Sequence, residues 1–141
     1  TEFVPLPFVA NEAPIYRRGQ SRRGPTFRES VLMHAVARLV LSPEIPNIQT
    51  SWVKMGIAGA RFCLQAGAND LGGTLMNESI TRAAGAMHGQ EMKAAVLEHT
   101  IRSVGRQPCE RTTLYGRRDE GGTGEPGFIA IVTRRSAASN S

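Results

Sequence analysis

Residues 46–75 read PNIQTSWVKMGIAGARFCLQAGANDLGGTL, and this stretch decides the fold. PNIQTSWV (46–53) predicts a strand. Ile57, Ala60, Cys63 and Leu64 then recur at helical spacing. Gly67 stands where a left-handed residue caps a helix, and Asn69 to Leu75 predicts a further strand. A strand, a helix and a strand in about 30 residues make a βαβ unit, whose two strands run parallel.

Outward from this unit the same alternation continues. EFVPLPF (2–8) predicts an edge strand, since Pro5 and Pro7 cannot donate to a ladder. Residues 9–25 form a loop rich in Pro, Gly and Arg. Thr26 and Glu29 have the spacing of a capping box. Val31, Leu32, Ala35, Val36, Leu39 and Val40 follow as one apolar helical stripe, ended by Pro43. Ile80, Ala83, Ala84 and Met87 predict a helical piece broken by Gly85. Leu97, Ile101 and Val104 predict another, with Gly105 as cap and Pro108 as stop. CERTTLY (109–115) is expected as the fourth strand.

The order predicts an α/β fold of four parallel strands with right-handed helical crossovers. A closed eight-stranded barrel takes about 250 residues. A chain of 141 residues has room for half of one, or for a small open sheet. A buried open sheet has apolar runs on both faces of its strands. Gln49 and Ser51 share one face, as do Arg111, Thr113 and Tyr115, which favours a barrel interior that holds a ligand. Residues 116–141 are turn-rich and polar around FIAIV (128–132). We expect a poorly ordered basic tail there, with at most one stray strand.

Composition narrows the function. Hydrophobic residues make up 40% and charged residues 21%, which fits a globular chain rather than a disordered one. There is no run of about 18 apolar residues for a membrane span. The chain opens on Thr1 and an apolar segment, so a piece of a longer protein is expected. Two cysteines, Cys63 and Cys109, make neither a disulfide framework nor a four-cysteine metal site, and a reducing cytoplasm is the default setting. His34, His88 and His99 lack ligand spacing, and His88 with Glu91 alone does not hold a metal. The net charge is +5, with arginine pairs at 17–18, 22–23, 117–118 and 134–135. These admit a small basic module for nucleic acid or phosphate, although no recognition motif accompanies them.

Ligands of parallel α/β folds bind beyond the C-terminal ends of the strands. Asp70, Gly72, Gly73 and Thr74 stand at such an end, where two glycines let a flat ligand approach the backbone. A tight turn needing glycine angles is the plainer reading of the same run. No Walker lysine and no GxGxxG fingerprint is present. Glu12 and Glu78 are candidate acids or bases, or solvated carboxylates. Trp52 is a ring-stacking platform or a packed rim residue.

PLPF (5–8), PNIQTSWVKMG (46–56), AGANDLGGTLMNESI (66–80), AAGAMHG (83–89) and P-x-x-R-x-T-x-Y (108–115) together resemble the C-terminal half of radical S-adenosylmethionine (SAM) enzymes. The resemblance is strongest to the FO synthase group, in its tyrosine 4-hydroxybenzyl transferase module, and covers residues 2–115. It implies a (β/α) barrel, SAM and a [4Fe-4S] cluster. The implied reaction joins a tyrosine-derived hydroxybenzyl group to 5-amino-6-ribitylaminouracil, toward a deazaflavin coenzyme. It places Gly72, Gly73, Thr74 and Glu78 on the cofactor side, and Gln49, Ser51, Trp52, Asp70, Arg111 and Thr113 on the substrate side. The family's CxxxCxxC cluster motif is absent from this chain. The expectation is therefore a fragment that retains neither cluster nor SAM, is inactive alone, and self-associates through its open edges and half-interior.

Overall fold

The computed structural model describes residues 1–11, 13–73, 93–112, 115 and 130–135. Their elements are β1 (Glu2–Phe3), α1 (Pro14–Arg17), α2 (Phe27–Leu41), β2 (Asn47–Ile48), α3 (Trp52–Ala66), β3 (Asp70–Gly73), α4 (Ala94–Ser103), β4 (Arg106–Arg111) and β5 (Ala130–Arg135). The fold is mixed α/β. The expected helix over 80–87 lies outside the described residues.

The first three strands run parallel, as the sequence predicts, although the strand expected over 2–8 pairs only at Glu2–Phe3. β1 pairs parallel with β2, Glu2 facing Asn47 and Phe3 facing Ile48. A parallel bridge from Gln49 to Asp70 continues the order to β3. The fourth position departs from the expectation of parallel neighbours. β5 lies between β3 and β4 and is antiparallel to both. The order across the described strands is β1-β2-β3-β5-β4. Apart from β5, the expected tail over 116–141 lies outside the described residues.

Local chemistry sets the helix ends. The Glu29 backbone N–H donates to Thr26 Oγ1 at 3.2 Å, and the Thr26 N–H donates to Glu29 Oε2 at 2.6 Å. This is the capping box read from the sequence. Gly67 ends α3 at φ 135°, and Gly105 follows α4 at φ 72°. A side chain at Gly67 would meet Arg38 Cβ at 2.7 Å, so the glycine also lets α2 approach closely.

Three further boundaries differ from expectation. The strand read over 46–53 is paired only at 47–49, because the Ser51 carbonyl accepts from the N–H groups of Lys54 and Met55 and starts a helical turn. That turn breaks at Gly56, φ 67° and ψ 170°, before the predicted helix resumes. The fourth strand begins three residues early, and Pro108 lies within it. β4 is the outermost strand of its sheet, where a missing N–H is tolerated.

The face of α2 is the largest correction. Its buried residues are Ser30, His34 and Ala37. Most of the predicted stripe points outward, with Leu32, Val36, Leu39 and Val40 at 57%, 45%, 82% and 69% exposure, while Val31 packs against the core and Ala35 is half-buried. Small and polar residues on the inner face let α2 lie close to α3 and the sheet, where Arg38 fastens it. The Arg38 guanidinium donates to the carbonyls of Gly67 (2.7 Å) and Pro46 (2.8 Å) and to Asn69 Oδ1 (2.8 Å). Asn69 Oδ1 also accepts from the Ile48 N–H at 2.8 Å, tying β2, β3 and α2 at one point. The apolar core lies elsewhere, under α3 and α4. It joins Trp52, Val53, Ala60, Cys63, Leu64, Leu71, Leu97 and Ile101. Among the described residues no helix is long and apolar enough to cross a membrane.

Candidate functional site

Asp70 opens β3 directly after the short loop that follows α3, and its side chain is fully buried. Its carbonyl accepts from the Thr50 N–H at 2.9 Å, which fixes the backbone against the end of β2. Its carboxylate takes two donors: the Gly72 N–H on Oδ1 at 2.6 Å and Arg111 Nε on Oδ2 at 2.6 Å. Burial pushes the Asp70 carboxyl above its ordinary range, while these two donors pull it the other way.

Arg111 comes from the far end of β4 and is nearly as buried, with 7% of its side chain exposed. Besides Asp70, its guanidinium bonds Glu2 Oε2 at 3.2 Å and the Thr112 carbonyl at 3.2 Å. Glu2 belongs to β1, so this ion pair links the two strands at opposite ends of the order. The Tyr115 ring lies over the guanidinium, 4.5 Å from Cζ to centroid, in a cation–π contact. Tyr115 has φ 64°, a left-handed conformation that a bulky residue rarely adopts. Its phenol is pushed above the usual range by burial first and then by its bond to Glu2.

Gly72 is left-handed too, at φ 71°. The space that its side chain would fill is taken by the Gln49 carboxamide, whose Nε2 would stand 2.7 Å from a Cβ. The backbone thus approaches a protein amide at this point. Gln49, Asp70, Gly72 and Arg111 form one cluster, with Glu2 and Tyr115 completing it.

The other expected site residues fall differently. Trp52 is 3% exposed and packs in the apolar core, so it offers no stacking platform. Ser51 is half-buried and stands at the N-cap of α3. Gly73 pairs with Ala130 of β5 through the backbone. Glu12, Thr74, Glu78 and Thr113 lie outside the described residues, as do His88 and Glu91. Arg17, Arg18, Arg22 and Arg23 are exposed, and Arg22 lies 3.7 Å from the exposed Glu29.

Sequence reasoning missed Glu2, because its partner Arg111 lies 109 residues away. Tyr115 shares the predicted face with Arg111, but the stacking of its ring on the guanidinium is legible only in the structure. His34, read as a stray histidine, is fully buried, with Nδ1 bonded to the Ser30 carbonyl at 2.7 Å. Burial holds its imidazole below the usual range.

Cys63 is buried, and burial pushes its thiol up; Cys109 is half-buried. Among the described residues no group of three His, Cys, Asp or Glu is placed to hold a metal ion. A [4Fe-4S] cluster is held by cysteine thiolates, and two cysteines do not supply the set. The residues present do not fit that cluster.

The model of one protein family, the CofH/MqnC C-terminal region, matches residues 1–123. An FO synthase of Nocardia farcinica is 56% identical over 119 residues, 84% of this chain and 14% of that protein. The "5-amino-6-(D-ribitylamino)uracil--L-tyrosine 4-hydroxyphenyl transferase" of Methanopyrus kandleri is 56% identical over 115 residues, 82% of this chain and 31% of that protein. An FO synthase of Mycobacterium tuberculosis is 49% identical over 115 residues, 82% of this chain and 13% of its own length. The chain thus spans under a third of each of these relatives. No solved structure matches it.

Proposed function

Because the chain belongs to the CofH/MqnC C-terminal family, we propose that it supplies the C-terminal part of an FO synthase-type radical SAM barrel. In this reading the parallel run β1-β2-β3 is part of the barrel wall, and the Gln49–Asp70–Gly72–Arg111 cluster faces its interior. The observation that carries the reading is 56% identity over 115 residues to a protein named as a 5-amino-6-(D-ribitylamino)uracil--L-tyrosine 4-hydroxyphenyl transferase.

Gln49, Ser51, Asp70, Arg111 and Thr113 are assigned to the substrate side. SAM contact is left to Gly73, Thr74 and Glu78, since the gap at Gly72 is filled by Gln49. Cluster binding belongs outside this chain, and no step of the reaction is routed through it here. The setting is the cytoplasm, where cysteines stay reduced. The exposed stripe of α2 supports association of the isolated chain.

A chimera tests the reading. Residues 1–115 replace the matched segment of the Methanopyrus kandleri transferase. The chimera is then given SAM, L-tyrosine and 5-amino-6-(D-ribitylamino)uracil without oxygen. Product formation within about tenfold of the parent rate is expected, a loss of no more than about 1.4 kcal/mol in transition-state stabilisation. A folded chimera that carries its cluster and makes no product refutes the assignment.

A further inference from the structure

Arg28, Leu32, Val36, Val40 and Glu44 stand four residues apart, so they form a single ridge along α2. The helix ends at Leu41, but Ser42 keeps helical angles and the Ile45 N–H donates to the Leu41 carbonyl at 2.6 Å, which carries the turn on to Glu44. The ridge runs on the side of α2 away from its buried Ser30, His34 and Ala37. It also avoids Phe27, whose ring meets that of Phe62 on α3, and Arg38, which bonds the Gly67 carbonyl. All five of its residues are exposed. Their order is a cation, three apolar side chains and a carboxylate, centred on Val36. Such a ridge is complementary to itself run backwards. A two-fold axis through Val36 sets Leu32 opposite Val40 of the partner subunit and Met33 opposite Leu39 of the partner subunit. The same axis sets Arg28 opposite Glu44 of the partner subunit, once at each end.

We propose that this ridge is the interface of a symmetric dimer, in which the α2 helices of two copies pack antiparallel about Val36. The contact is isologous, the same patch serving on both copies. Antiparallel helices inclined by about 20° stay in contact over several turns, so the apolar middle and both charged ends meet together. The apolar centre supplies the attraction, and the two outer ion pairs set orientation and register. One helix from each copy makes a small interface, and small interfaces are weak and reversible. The ridge shares no residue with the candidate site, so the dimer stands apart from the function proposed above.

The symmetry supplies the test. Sedimentation of the full chain over a range of concentrations is expected to show a monomer–dimer equilibrium. Arg28→Glu, which brings two carboxylates together at each end, is expected to weaken the dimer at least about tenfold, and so is Glu44→Arg, which brings two guanidinium groups together. Neither change touches the apolar middle. A mixture of the two single variants is expected to dimerise again, because each end of the mixed pair joins a carboxylate to a guanidinium. Cross-linking checks the register. The two copies of Val36 meet at the axis, whereas the two copies of Leu32 lie about 12 Å apart along the helices, beyond the roughly 7 Å Cα limit of a disulfide. Mild oxidation is expected to join Val36→Cys chains in pairs and to leave Leu32→Cys chains at the level of the unsubstituted chain. A monomer at every concentration overturns the proposal. So does a dimer indifferent to both charge changes, a mixture of the two variants that stays monomeric, or a Leu32→Cys chain that links as readily as Val36→Cys.

Discussion

Replacing Arg111 by methionine isolates the interaction on which the cluster depends. Methionine keeps much of the side-chain volume and removes all three guanidinium bonds: to Asp70 at 2.6 Å, Glu2 at 3.2 Å and the Thr112 carbonyl at 3.2 Å. Removing one member of a buried ion pair costs about 3–5 kcal/mol, because the other charge stays buried without its partner. The Asp70 side chain is fully buried, so this range applies to it. The Gly72 N–H still serves Oδ1, which places the loss at the low end, about 3 kcal/mol. Glu2 is 30% exposed and regains water, adding less than about 1 kcal/mol.

The pH dependence has a definite sign. The folded Asp70 carboxyl already lies above its ordinary value, with burial the largest cause. Such a group stabilises the fold most when protonated, below the unfolded value near 3.9, and that contribution is lost as pH rises through the folded value. Removing Arg111 removes a cause that lowers the carboxyl, so its folded value rises further. The deficit of Arg111→Met relative to the parent is therefore expected to be largest at pH 7 and to shrink toward pH 4. Urea denaturation followed by circular dichroism at both pH values measures it. Asp70→Asn in the same chain should recover part of the loss, giving a coupling of about 2 kcal/mol in a double-mutant cycle. A deficit below about 1 kcal/mol, or one equal at the two pH values, refutes a charge pair acting in the folded state.

Arg38→Met should cost about 2–3 kcal/mol through its bonds to Gly67, Pro46 and Asn69, and Arg38→Lys should recover little because an ammonium lacks the planar fork; denaturant midpoints check both. Gly72→Ala should lose about 1–2 kcal/mol from its left-handed backbone, plus a steric share that Gln49→Ala in the same chain relieves; thermal unfolding of the single and double variants separates the two. Anaerobic reconstitution with iron and sulfide should give less than one [4Fe-4S] cluster per chain, and iron counting with a visible spectrum showing a stoichiometric cluster would contradict the ligand argument. The isolated chain should sediment above its monomer mass, and Leu39→Glu with Val40→Lys should shift it toward monomer, because these are the most exposed apolar side chains of α2. Unchanged sedimentation would place the association on a sheet edge instead.

Sequence alone determined the features whose causes are local. The capping box at Thr26 and Glu29 needs only four consecutive residues. The caps at Gly67 and Gly105 need one residue free to adopt positive φ. The parallel order of β1, β2 and β3 follows from the length and helical spacing of what lies between them. The motifs of residues 5–115 were sufficient for the family, because 56% identity preserves short runs intact. Tertiary structure decided whatever depends on partners distant in sequence. Which face of α2 turns inward is set by the room that Gly67 leaves for Arg38 and by the carbonyls it meets, and the apolar stripe is outbid by that fit. Trp52 sits in the core because Ser51 starts a helix where a strand pattern ran on. Glu2 enters the site only when β1 and β4 are brought within a hydrogen bond of each other. FIAIV is an ordinary apolar run with no mark of its neighbours. The place of Ala130–Arg135 between β3 and β4 is a matter of main-chain pairing, which an extended segment of many sequences can make.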